Sequence, residues 1–227
     1  ASTTSRHSRA AAPPPPPPGS VNQHFKQDQH ASTPPPLVNP NGAPRQTQQH
    51  SNPKRDEDTP LNFQQKILDF AKRKDRSSIC RIVQEKSQLF DITNSVTALH
   101  RLAQITRDCT KQADDTNTKD TVILLINHLY KKSPGRPMEV ANMAWALAIL
   151  MDKVLFTPPR NKDVEQLCNS LMSFSVKQAN YNFDAMQGMH VGNILWALGT
   201  CHHVMKINFG ENSDQVEKLV GRAVEHI

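Results

Sequence analysis

Val140–Met151 reads VANMAWALAILM, twelve residues with a single polar side chain, Asn142. Apolar nearly all round, it predicts a helix covered on most sides. The pattern returns 51 residues later as Val191–Thr200, VGNILWALGT, and stands in degenerate form 48 residues earlier as Ile92–Ile105, ITNSVTALHRLAQI. Aligning Ala98, Ala146 and Ala197 puts Asn94, Asn142 and Asn193 in one column and Leu99, Leu147 and Leu198 in another. A repeat of this period marks stacked helical units, each burying its apolar face against its neighbours. The expected fold is all-α, an α-solenoid of at least three stacked helical hairpins.

Each copy carries a second helix. Val122, Leu125, Ile126, Leu129 and Tyr130 stand at i, i+3, i+4, i+7 and i+8. Val164, Leu167, Cys168, Leu171 and Met172 keep that spacing, as do Val216, Leu219, Val220, Ala223 and Val224. These helices bury one stripe and leave Lys, Glu, Gln and Asn outside. Two further helices precede the repeat: one over PLNFQQKILDFAKRKD, opening at Pro60, and one over SSICRIVQEKSQLF, capped by Ser77 or Ser78. Asp91 or Thr93 then starts the first repeat helix. Thr106–Lys119 and Asp152–Asn161 read as long links inside the hairpins.

Residues 1–59 differ in kind from the rest. They hold 12 of the 17 prolines, six of them at Pro13–Pro18, and almost no aliphatic clusters. Such a stretch cannot bury enough apolar area to offset its ordering entropy, so it is expected to be a disordered, Pro-rich tail before a helical-repeat domain at 60–227. Residues 1–27 contain Arg6, Arg9 and Lys26 and no acid, a balance that suggests an organelle transit segment or the mature end behind one. Residues 60–227 carry 21 Lys+Arg against 17 Asp+Glu, a mild surplus that permits an RNA partner without requiring one. Cys80, Cys109, Cys168 and Cys201 are widely spaced, and three sit in apolar helical patterns, which reads as reduced core thiols in a protein that is not secreted. The longest apolar run, Met143–Met151, has nine residues where about twenty would span a bilayer, so no membrane insertion is expected.

Few side chains offer chemistry. Trp145 and Trp196 lie in helices apolar all round and read as core, although an exposed indole would stack on a base. Asn142 and Asn193 read as hydrogen bonds between repeats, since an unpaired buried amide costs about 1–3 kcal/mol. Cys201, His202 and His203 are consecutive on a helix, about 100° apart, and cannot converge on one metal ion. Neither cofactor nor metal is expected, and no P-loop, GxSxG or HExxH pattern suggests an enzyme. Basic residues gather near the hairpin ends: Lys72, Arg73, Lys74 and Arg76; Arg101 and Arg107; Lys131, Lys132 and Arg136; Lys153, Arg160 and Lys162. Together they are the candidate contacts to an RNA backbone.

NSVTALHRLAQI, VANMAWALAIL and VGNILWALG resemble the signature helices of the octotricopeptide-repeat and FAST-kinase-like families. In those families an A-N-x-x-W-A-L-A helix opens each hairpin, and a T-A-L-H-R-L-A variant marks the first. The resemblance covers roughly residues 60–227. It implies an organellar RNA-binding protein, mitochondrial or else chloroplast, acting on mRNA or rRNA in maturation, stability or translation, or within the organellar ribosome. The other expectation is a non-catalytic adaptor holding ribosomal or other proteins of a large organellar complex. The spacing of 48–51 residues exceeds the family's usual repeat of roughly 38. That departure counts against a nucleotide-by-nucleotide code.

Overall fold

The computed structural model describes residues 59–109, 116–156, 161–205 and 210–225, and every long element in them is a helix. In chain order these are α1 (Pro60–Lys72), α2 (Arg76–Lys86), α3 (Ile92–Asp108), α4 (Thr116–Lys132), α5 (Pro137–Leu150), α6 (Lys162–Tyr181), α7 (Gly188–Met205) and α8 (Ser213–Glu225). One π turn, Met151–Leu155, continues α5. The expectation of a disordered tail falls on residues outside those described.

Local signals place most helix ends. Pro60 occupies the first turn of α1, and the Thr59 side chain accepts from the Asn62 N–H. Asp91 caps α3, its carboxylate 2.7 Å from the Asn94 nitrogen. The cap of α2 is Asp75, accepting from the Ser78 N–H at 3.0 Å, rather than Ser77 or Ser78. Lys74 and Ser133 take positive φ, 54° and 53°, directly after α1 and α4, the left-handed stop that ends many helices. The link expected at Thr106–Lys119 is shorter. Helix α3 runs to Asp108 and α4 begins at Thr116, because Thr106 and Thr118 are buried and so belong to packed helix turns.

The packing has two plies. Odd helices lie on odd helices (α1 on α3, α3 on α5, α5 on α7), and even helices on even helices (α2 on α4, α4 on α6, α6 on α8). Contacts between neighbours keep a nearly constant sequence offset. Thr93 donates to Glu139 at 2.8 Å and His100 meets Trp145; Cys80 meets Thr118 and Gln84 donates to Thr121. A constant offset is possible only between parallel helices, so α3 and α5 run parallel, as do α2 and α4. Helices α1 and α2, which precede the sequence repeat, pack on α3 and α4.

Core residues lie between the plies: Leu99, Leu102, Leu125, Ile126, Leu129, Met143, Leu147, Leu150, Cys168, Met172, Ile194 and Cys201 are all fully buried. Burial pushes the Cys168 and Cys201 thiols up to about 12, whereas Cys109 is exposed at the end of α3. A thiol reagent should therefore label Cys109 in the native chain and leave Cys80, Cys168 and Cys201 until the chain unfolds. Rapid native labelling of all four would contradict this core.

Two grooves mark the first and last described helices. One along α1 and α2 is lined by Phe63, Phe70 and Ile82 together with Lys66, Arg81, Glu85 and Lys86. One of about 470 Å³ along α7 and α8 is lined by Leu195, Leu198, Val216 and Val220 together with His202 and Glu217. On α8, Val220 is 43% and Val224 66% exposed, whereas their repeat counterparts Cys168 and Met172 are fully buried.

Candidate nucleic-acid interface

Helix α5 is covered by α3 on one side, α7 on the other and α6 beneath. One sector is left open, and Asn142 and Trp145 stand half-buried in it. The matching sector of α7 carries Asn193, Trp196 and Thr200, and that of α3 carries Thr97, His100, Arg101, Gln104 and Arg107, all half-buried. Packing of α5 on both α3 and α7 brings these sectors side by side along the odd ply.

Three rings form a row on this face. His100 and Trp145 have centroids 5.1 Å apart at 58°, and Trp145 and Trp196 are 6.3 Å apart at 34°. The Arg107 guanidinium lies over the Trp145 ring, 5.4 Å from its centroid. The tryptophans are thus only partly core: one side packs on the buried cluster and the other faces outward. The composition of α5 concealed this, because a helix apolar all round does not show which sector its neighbours leave open.

The polar groups around the rings are held closely. Arg101 Nη1 donates to Gln104 Oε1 at 2.7 Å, and Arg107 pairs with Asp108 at 3.1 Å. Lys153 pairs with Asp152 at 2.9 Å. Burial, then the charges of Arg101 and Arg107, push His100 down to about 3, so the ring is neutral near pH 7. Burial also lowers the pKa of Arg101.

The expected hydrogen bonds between repeats from the Asn column do not form. Asn94 is buried with its Nδ2 unpartnered, and among the described residues Asn142 and Asn193 make no side-chain bond to another helix. Neighbouring helices are joined instead by Thr93–Glu139, Gln84–Thr121 and Asn180–Gln215, the last with the Asn180 amide donating to a carbonyl at 2.7 Å.

The basic residues expected to follow an RNA backbone divide into groups. Lys72, Arg73, Lys74, Arg76, Arg107, Lys153 and Lys162 lie at one end of the hairpins, where odd helices finish and even ones begin. Lys131, Lys132 and Arg136 lie at the opposite end, where Lys132 Nζ donates to the Phe90 carbonyl at 3.1 Å. Arg101 is alone in mid-helix, and Arg160 lies outside the described residues. Several carry local contacts: Lys72 pairs with Asp69 at 3.4 Å, and Arg73 sits over the Phe70 ring. Of the set, Arg107 lies over a ring of the row, and Arg101 follows His100 in the chain.

Among the described residues no cluster of His, Cys, Asp and Glu could hold a metal ion, and no helix is long and apolar enough to cross a membrane. Cys201 is buried while His202 and His203 are exposed. Neither the protein-family models, nor the curated proteins, nor the solved structures return a match to this chain.

Proposed function

We propose that this chain is an RNA-binding α-solenoid of the octotricopeptide-repeat or FAST-kinase-like kind. It holds a single strand along the face of the odd helices and acts in organellar RNA maturation, stability or translation. The observation that carries this reading is the row His100–Trp145–Trp196 with Arg107 over Trp145. The outward sides of the two indoles, with a cation over one of them, suit unpaired bases, since stacking on an aromatic ring contributes about 1–3 kcal/mol per base and tolerates any sequence. A duplex hides its base faces and would leave the row unused. The constant offsets between parallel helices support the solenoid, and the acid-free residues 1–27 support a mitochondrial or chloroplast address.

A second reading, a protein-holding adaptor in a large organellar complex, draws on the pairs Arg107–Asp108 and Lys153–Asp152, which absorb much of the face's charge. Binding of the purified full chain to a mixed-sequence single-stranded RNA over a salt series separates the two. Phosphate contacts from Arg101, Arg107 and Lys153 predict a log–log slope of about −2, at roughly −0.7 per contact on a single strand. No binding at low salt, or a flat slope, would sink the RNA reading and leave the adaptor.

A further inference from the structure

We infer that Arg101 receives a backbone phosphate of the strand whose bases stack on the ring row. The assignment rests on the RNA reading above and adds to it one residue and one chemical role.

The starting point is an imbalance of charge. Three other cations have carboxylates: Arg107 has Asp108, Lys153 has Asp152, and Arg222 has Asp184 at 2.9 Å. Arg101 is half-buried in the middle of α3 and forms no ion pair among the described residues. Its contact is with a neutral amide, Gln104, and its Nε is buried without an acceptor. Taking a guanidinium partly out of water with no counter-charge is unfavourable, and so is leaving a buried donor unpaired. In the free protein Arg101 therefore destabilises the fold.

The surroundings sharpen the cost. Arg107 stands six residues on, about 120° round α3, and both arginines act on His100, which stays neutral. Two cations with a single neighbouring carboxylate, Asp108, make a locally positive site. An anion arriving there supplies the missing partner. Turning outward from Gln104, the guanidinium offers two parallel N–H donors, the fork that matches a phosphate. A carboxylate of a protein partner could also satisfy Arg101, but it would leave the ring row empty. An RNA strand uses both, a phosphate on Arg101 and its bases on the rings.

This makes two expected effects of opposite sign. Arg101→Gln in the full chain should raise the thermal midpoint of the free protein by about 2–4 °C, because the uncompensated charge is gone. The same variant should bind single-stranded oligouridine about tenfold more weakly, with the salt slope reduced in magnitude by about 0.7. Arg101→Lys should keep the slope while losing part of the affinity, since a point charge replaces the fork. If wild type binds the oligomer and Arg101→Gln binds with unchanged slope, the phosphate assignment is wrong and the RNA reading stands. A lowered midpoint in Arg101→Gln would show an ordinary structural arginine and also overturn the assignment. Displacement of the oligomer by polyglutamate as readily as by polyphosphate would identify a protein acid as the ligand and overturn it too. Absence of any RNA binding by wild type at low salt defeats both readings together.

Discussion

Trp145→Ala should unfold at a clearly lower denaturant midpoint and lose RNA affinity by tenfold or more. A fully buried tryptophan replaced by alanine costs about 3–5 kcal/mol. Trp145 is half-buried, so about 2 kcal/mol is expected, from lost packing against His100, Trp196 and the core beneath. The affinity loss comes from removing the middle ring of the row, at about 1–3 kcal/mol for one stacked base. Trp145→Phe keeps a ring and should recover most of the stability and part of the binding. The chain has 2 tryptophans, both in this row, so indole fluorescence reports nothing else. Stacked bases should quench it. An unchanged unfolding midpoint in Trp145→Ala would mean the indole packs on nothing. Unchanged affinity would remove the rings from the interface.

The second large effect is a loss of stability in acid that runs through His100. Its folded pKa, about 3, lies well below the usual histidine value of 6.5, first because of burial and then because of Arg101 and Arg107. A lowered histidine pKa means that the unfolded chain binds the proton more readily. The stability is therefore fully present above pH 6.5 and drains as pH falls from 6.5 towards 3. The slope is at most about 1.4 kcal/mol per pH unit for this one group. Carboxylates such as Asp69 and Asp75, whose pKa values are lowered by hydrogen bonds, add their own acid loss at lower pH. The contribution of His100 is the difference between wild type and His100→Gln, read by thermal unfolding from pH 7 to pH 4. The gap should close as pH falls, and a gap independent of pH would show that His100 is not held neutral by its site.

How much of this was legible in the sequence can be read from α5 and α3. The apolar circumference of Val140–Met151 announced a helix flanked on several sides, and the fifty-residue echo announced its neighbours. Asp91, Pro60 and the stripes of α4, α6 and α8 placed further helices close to where they lie. The ring row was not legible, for two reasons. Whether Trp145 faces core or solvent depends on which sector α3, α6 and α7 leave uncovered, a property of the assembly rather than of the helix. And alignment of the repeats sets Thr97 in the column of Trp145, whereas space sets His100 beside it, because α3 and α5 meet at an offset of 45 residues rather than 48. The basic residues were visible as types, but the two ends to which they belong follow only from helix direction.

The bare side of α8 also bears on the ring row. Trp145 rides on α5, which packs against both α3 and α7. Trp196 rides on α7, which packs against α5, α6 and α8, and α8 keeps Val220 and Val224 exposed. Whatever covers those two valines would also hold α7 in place, and with it the 6.3 Å between the two indoles.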